Sequence, residues 1–240
     1  MANLGKRIKF NISKYTAGIL VMSSLLTSCI NQPHTRFDHT TVDSTIENSV
    51  KEALNNSNYK GEDRHIWQKP EIIMSLLGDV SDKTIVDIGA GAGYFSFKFV
   101  KYAAKVIAVD IDERMIRLMN EEKRYYPDHL RIKFEARLAK SDDPLLAQDE
   151  ADIVFVANTY AYIEHRVEYF SNILKALKPK GQIMIVDFKM KHTPIGPDLK
   201  YRIPLGQVEN ELIQAGYHII KSDDSSLDYQ YILLAQKPSN

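Results

Sequence analysis

Two acids and three glycines have the types and spacing to hold a nucleotide-like ligand. Thr84–Tyr94 reads T-I-V-D-I-G-A-G-A-G-Y. Asp87 stands at the end of a β-branched apolar segment, and Gly89, Gly91 and Gly93 follow at alternate positions. Glycine lets the backbone turn sharply and approach a ligand closely. Asp110 ends a second apolar segment, V-I-A-V-D. An acid there is placed to accept hydrogen bonds from a ribose. The plainer alternative is a βα turn whose glycines only pack. A dinucleotide fingerprint, G-x-G-x-x-G, puts its third glycine at position 94. That position is Tyr94, so the spacing argues against a dinucleotide.

Alternating strands and helices must present these residues. The sequence predicts strands at Thr84–Ile88, Lys105–Val109, Leu130–Glu135, Asp152–Ala157 and Gln182–Val186, and two more at Tyr217–Lys221 and Tyr229–Ala235. Helices are expected over Pro70–Leu77, Tyr94–Tyr102, Asp112–Tyr125, Arg166–Leu177 and Leu205–Ala215. Asp112 is an N-cap candidate, and Gly216 ends the last helix. Asp152–Ala157 is a continuous apolar run, as in a parallel strand buried on both faces. The pattern is a three-layer α/β domain.

The chain has 240 residues, with Lys+Arg and Asp+Glu both at 31. Balanced charge leaves no electrostatic footprint for nucleic acid, and none is expected as a partner. Lys6, Arg7, Lys9 and Lys14 begin the chain without acids, and a mainly apolar run, Tyr15–Leu26, follows. That run is shorter than the ~20 residues of a membrane-spanning helix and suits a signal peptide. Leu26-Thr-Ser-Cys29 resembles the lipobox of bacterial lipoproteins, which implies cleavage before Cys29, its lipidation and a membrane anchor. Cys29 is the single cysteine, so no intramolecular disulfide forms. The expected division is a signal peptide at 1–28, a polar tether at 29–62 with a short helix near Val42–Leu54, and a folded domain at 63–240. A start at Met22 would instead leave a cytoplasmic protein.

D-x-G-x-G-x-G resembles the first motif of class I S-adenosylmethionine-dependent methyltransferases. Asp152–Asn158 resembles that family's fourth-strand motif. Leu177-Lys-Pro-Lys-Gly181 resembles its L-K-P-G-G turn, with Lys180 in place of the first glycine. Asp63-Arg-His-Ile-Trp-Gln-Lys-Pro70, Asn158-Thr-Tyr160, Gly196-Pro197 and Tyr201-Arg-Ile-Pro204 resemble a bacterial subgroup of methyltransferase-domain proteins. Many of its members carry His-His-Ile after N-T-Y, where this chain has Ala161-Tyr-Ile163. The resemblance implies a Rossmann-like seven-stranded sheet, mostly parallel with an antiparallel last strand. It also implies S-adenosylmethionine as cofactor.

On that resemblance, Asp87, Gly89, Ala90, Gly91 and Gly93 line the methionine side. Tyr94 covers it or packs under the following helix. Asp110 binds the ribose and Ile111 flanks adenine; Ala136, Arg137 and Leu138 offer adenine no acid. Asn158 faces the junction of cofactor and acceptor, or serves as a turn residue. Tyr160 would orient an acceptor and His165 would accept a proton, against a plainer reading of packing tyrosines and a solvated histidine. The acceptor pocket is expected from Asn158–His165 and His192–Pro204, for an unidentified small molecule. N-T-Y-A lacks the prolines of N-P-P-Y, which argues against a base-flipping enzyme. Asp187, His192 and Asp198 have no recognised metal spacing, and no metal is expected. Because a lipoprotein domain faces away from the cytoplasm where the cofactor is made, the rival reading is a non-catalytic ligand-binding lipoprotein that keeps the fold.

Overall fold

The structure is a computed structural model, and it describes residues 63–239. The expected signal peptide, Cys29, the tether and the helix near 42–54 lie outside the described residues. Among the described residues no helix is long and apolar enough to cross a membrane.

Seven strands form one sheet: β1 Thr84–Ile88, β2 Lys105–Asp110, β3 Phe134–Leu138, β4 Ala151–Ala157, β5 Leu177–Phe188, β6 His218–Asp223 and β7 Gln230–Gln236. Their order is β3-β2-β1-β4-β5-β7-β6. The first five run parallel, and β7 runs antiparallel between β5 and β6. The helices are α1 Arg64–Gln68, α2 Pro70–Leu77, α3 Ser96–Phe99, α4 Glu113–Lys123, α5 Asp128–Arg131, α6 Arg166–Ala176 and α7 Leu205–Gln214, with 3-10 turns at Tyr160–Tyr162 and Leu199–Tyr201. This is the Rossmann-like architecture that the resemblance implied.

Each sheet face carries its own core. Val86, Ile88, Ile107 and Val109 pack with Phe170 and Ile173 of α6 and Leu212 of α7. Ile85, Val106 and Phe155 pack on the other face with Ile73 of α2 and Phe95 and Phe99 around α3. Burial on both faces explains why β1, β2 and β4 are continuous apolar runs. Neighbouring parallel strands also bring Asp87 opposite Ala108, so the ends of β1 and β2 emerge together.

Several expectations shift. The strand expected over 130–135 begins at Phe134, because Pro127 starts the helical turn α5 and leaves Ile132 84% exposed. The expected helix over 94–102 is regular only at Ser96–Phe99. The Lys-Pro-Lys-Gly stretch lies within β5, opposite a register shift between Ala151 and Ile153. Lys180 itself takes the left-handed conformation, φ 63°, rather than the glycine beside it. Asp112 caps α4 as expected, accepting from the Arg114 amide at 2.8 Å.

Candidate functional site

The glycine loop passes from β1 to α3 at the carboxyl edge of the sheet, where open α/β sheets bind ligands. The amides of Gly89 and Ala90 donate to the Val109 carbonyl at 2.9 and 3.0 Å, which ties the loop to β2. Gly89 has φ +69°, and a Cβ there would stand 2.3 Å from Thr159 Oγ1. Its lack of a side chain lets the β1 and β4 loops touch. Gly91 has φ +58° and open space where a Cβ would point. Its amide donates to Asp110 Oδ2 at 2.8 Å, and the Asp112 amide donates to Oδ1 at 2.9 Å. Asp110 thus braces the loop and remains half-exposed at the sheet edge, with carboxylate lone pairs left over.

Gly89→Ala is expected to cost about 2–4 kcal/mol, combining a left-handed alanine with overpacking against Thr159. Denaturant melts check this. A cost below about 1 kcal/mol would mean that the Thr159 loop yields easily.

Asp87 is buried and accepts from Ser96 Oγ at 2.5 Å. Burial pushes its pKa up to about 6, against the opposing Ser96 hydrogen bond and the Arg64 charge. Arg64 enters from α1, its guanidinium 4.1 Å from the Tyr94 ring centroid. Tyr94 is half-buried, and its buried hydroxyl has no hydrogen-bond partner. On the β2 and β3 side, Ile111 is 62% exposed and Leu138 41% exposed, two large apolar side chains left open at adjoining strand ends. Arg137 is consumed by Glu135 and Glu150 at 2.6–2.9 Å and is not offered to a ligand.

These residues fit a cofactor with an amino-acid end, a ribose and a flat base. The orphaned Tyr94 hydroxyl and the Arg64 cation lie beside the loop. The open face at Gly91 and the Asp110 carboxylate come next, and Ile111 and Leu138 form an apolar edge. The sequence reading missed Arg64. A lone basic residue in a short helix carries no signal until α1 is seen against Tyr94.

Beyond β4, Asn158 has φ 58°, and its amide donates to the Val186 carbonyl at 2.9 Å. Its side-chain oxygen accepts from Gln230 Nε2. Gln230 accepts from Gln68 at 3.0 Å, and Gln68 accepts from Arg64 at 2.5 Å. Asn158 therefore ends a polar relay through α1, β7 and β4.

Tyr160 corrects an expectation. It is fully buried, stacks on Phe170 with centroids 5.0 Å apart, and donates its hydroxyl to Glu211 at 2.6 Å. It is a core residue and presents no edge to an acceptor. Glu211 also accepts from Arg166 at 2.7 and 2.9 Å and from Gln207 at 2.8 Å. Burial works to raise its pKa, but the hydrogen bonds from Arg166, Tyr160 and Gln207 win and hold it at about 2. His165 is exposed at the start of α6, with φ 47°. Tyr162, 58% exposed, stacks on Tyr201 with centroids 6.3 Å apart, so the two expected acceptor segments meet.

The 192–204 segment is tied down from within. Arg202 is buried and donates to the carbonyls of Pro197, Lys189, Lys191 and Ile195 at 2.7–3.3 Å. Beside it Asp187, buried at the end of β5, accepts from the Phe188 amide at 2.7 Å through Oδ1, while Oδ2 has no partner. Burial pushes its pKa up to about 6, opposed by nearby amides and the Arg202 charge. From the sequence, Asp187 carries no recognised metal spacing, and a structural or solvent role is the expectation. Among the described residues no three His, Cys, Asp or Glu groups come together to hold a metal.

Residues 79–232, well over half of the chain, match a family described as "Methyltransferase domain". Ribosomal RNA small subunit methyltransferase A of Dehalococcoides mccartyi (strain CBDB1) is 29% identical over 131 residues, 53% of this chain and 44% of that protein. Phosphoethanolamine N-methyltransferase 1 of Triticum aestivum is 31% identical over 120 residues, 49% of this chain and 24% of that protein. The chain spans less than half the length of these curated relatives. A SAM-dependent methyltransferase from Aquifex aeolicus superposes with TM-score 0.70 at 19% identity, covering 78% of this chain and 98% of that one. The [4+2]-cyclase SpnF superposes with TM-score 0.61 at 15% identity, covering 72% and 83%. At these identities the structural likeness is one of fold. Sheet order, glycine loop and family match converge: the chain belongs to the methyltransferase-domain family of class I fold, whose cofactor is S-adenosylmethionine.

Proposed function

We propose that this protein transfers the methyl group of S-adenosylmethionine to a small-molecule acceptor. The observation that carries the reading is the braced loop, in which Gly91 and Asp112 amides hold the Asp110 carboxylate at the sheet edge. Asp110 would take the ribose hydroxyls, and Ile111 with Leu138 would flank the base. Asp87, Gly89, Ala90, Gly91, Gly93, Tyr94 and Arg64 surround the place for the amino-acid end. When bound, the cofactor supplies an already activated methyl electrophile. The chain then has to position a nucleophile and exclude water. Asn158, Tyr162 and the strap held by Arg202 border the acceptor side. His165, exposed at the start of α6, would serve as the proton acceptor.

Balanced net charge and the lack of N-P-P-Y favour a small acceptor over nucleic acid, although one relative is named for ribosomal RNA. The same fold also serves other chemistry, as the cyclase neighbour illustrates. Calorimetry is expected to show S-adenosylhomocysteine binding and little NAD binding. Asp110→Ala should weaken S-adenosylhomocysteine by about 1–3 kcal/mol, the scale of lost charged hydrogen bonds. NAD binding as tightly would overturn the cofactor reading. Tight binding without turnover on any acceptor would favour the ligand-binding alternative.

The basic start, the short apolar run and Leu26-Thr-Ser-Cys29 support anchoring through lipidated Cys29. Mass spectrometry of membrane-derived protein should find cleavage before Cys29 and attached acyl chains. An intact leader, or a soluble chain from Met22, would refute the anchor.

A further inference from the structure

Among the described residues two buried side-chain polar atoms have no hydrogen-bond partner, Tyr94 Oη and Asp187 Oδ2. Tyr94 belongs to the cofactor side. Asp187 is 4% exposed and stands one residue before the end of β5, at the carboxyl edge of the sheet. Ligands of open α/β sheets bind at that edge. A buried carboxylate is normally paired and hydrogen-bonded.

The donors around Asp187 are committed elsewhere. The Phe188 amide donates to Oδ1 at 2.7 Å. The amides of Tyr160 and Ala161 approach the carboxylate, but neither completes a hydrogen bond to Oδ2. Arg202 is near enough to favour the charged form, yet it directs its hydrogen bonds to four carbonyls of the 189–197 stretch. On β7, Tyr231 stands opposite Asp187 and donates its hydroxyl to the Ile203 carbonyl at 3.2 Å.

The two segments beside the acid carry a second feature. Tyr162 follows Ala161, and Tyr201 precedes Arg202. These tyrosines are 58% and 48% exposed and stack on each other. Lys200 Nζ stands 4.7 Å from the Tyr201 ring centroid, so this ring already attracts a cation. An unpaired acid and an open aromatic pair suit one kind of guest, an ammonium on an apolar body.

We propose that Asp187 selects the methyl acceptor, pairing through Oδ2 with the ammonium of an organic amine whose apolar body lies against Tyr162 and Tyr201. The inference rests on the methyl-transfer reading and adds to it the acceptor's class and the residue that recognises it. Oδ2 is closed to solvent in the ligand-free chain, so entry requires the 192–204 strap or the Tyr160–Tyr162 turn to yield. The ammonium then supplies the donor that Oδ2 lacks, as a charge-assisted hydrogen bond. A neutral or anionic guest of the same shape gains no such bond.

2-Phenylethylamine is the probe, with 2-phenylethanol and phenylacetate as its neutral and anionic counterparts. Calorimetry is run at pH 7.5, where Asp187, with its pKa near 6, is charged. On the full chain saturated with S-adenosylhomocysteine, the amine is expected to bind with a Kd below about 5 mM, and the alcohol and acid at least about tenfold more weakly. Asp187→Asn should lose at least about tenfold in amine affinity and leave the alcohol unchanged. Its S-adenosylhomocysteine affinity should stay within about threefold, which reports an intact fold. If Asp187→Asn fails to fold, the wild-type preference for amine over alcohol decides, together with an expected loss of about threefold in amine affinity in the exposed Tyr162→Ala. Equal binding of amine and alcohol, no amine binding up to about 10 mM, or undiminished amine affinity in Asp187→Asn would overturn the proposal. Failure of the wild-type chain to bind S-adenosylhomocysteine would overturn the cofactor reading instead. The same titrations on the ligand-free chain would then still decide whether Asp187 holds an ammonium.

Discussion

Lowering the pH from 7 to 5 is expected to raise the melting temperature of the ligand-free protein. Asp87 and Asp187 both have folded pKa values pushed up to about 6 by burial. An unfolded aspartate titrates near 3.9. Between those values the folded chain keeps two protons that the unfolded chain has lost, so protonation favours the fold. Their contribution is fully present below about pH 4 and is lost as pH rises through 6. Moving from pH 7 to 5 recovers roughly 1 kcal/mol per group, about 2–3 kcal/mol in all. For a domain of this size that is roughly 5–10 °C. Glu211 and Asp223 act in the opposite sense, since their folded pKa values are lowered. The stability they add is present above the unfolded carboxylate pKa and declines only below about pH 4.5. Stability should therefore peak near pH 5. Scanning calorimetry at several pH values tests this, and Asp87→Asn and Asp187→Asn should each remove about half of the gain. A flat profile between pH 5 and 7 would contradict it.

The second large effect is expected at Glu211. Glu211→Ala leaves the Arg166 guanidinium without its carboxylate and strands the Tyr160 hydroxyl in the core. Breaking a buried charged pair from one side costs about 3–5 kcal/mol. The side chains of Arg166 and Glu211 keep 21% and 15% exposure, which places this site at the lower end, about 3 kcal/mol. Tyr160→Phe removes one hydrogen bond and should cost about 1 kcal/mol. Urea melts measure both. If Tyr160→Phe abolished turnover at unchanged stability, the tyrosine would belong to the acceptor site after all.

The legible parts of this protein were those written in local patterns. The apolar runs at β1, β2 and β4 mark strands because both sheet faces bury them. Asp87, the three glycines and Asp110 mark the loop because a backbone turn restricts which residues it tolerates. Ile111 stands exposed one residue after β2, the position from which the resemblance has it flank adenine. What failed depended on distant partners. Tyr160 follows the β4 end as an acceptor residue would, but Glu211, 51 positions later, draws its hydroxyl inward. Arg202 looks like one more surface charge until four carbonyls from 189–197 are found around it. The β3 boundary slipped because Ile132 reads as strand by alternation while Pro127 sets a helical turn before it.

The chain of hydrogen bonds from Arg64 through Gln68 and Gln230 to Asn158 makes the entrance of the domain part of its ligand rim. Every member carries an amide or guanidinium whose orientation is set by the next. Rotating the Asn158 amide toward a guest breaks its bond to Gln230 and leaves that buried glutamine to find another acceptor. The disturbance is passed to Gln68 and so to α1, the first helix after the residues that precede the domain. Occupancy of the sheet edge and the seating of α1 are thereby linked through two buried glutamines.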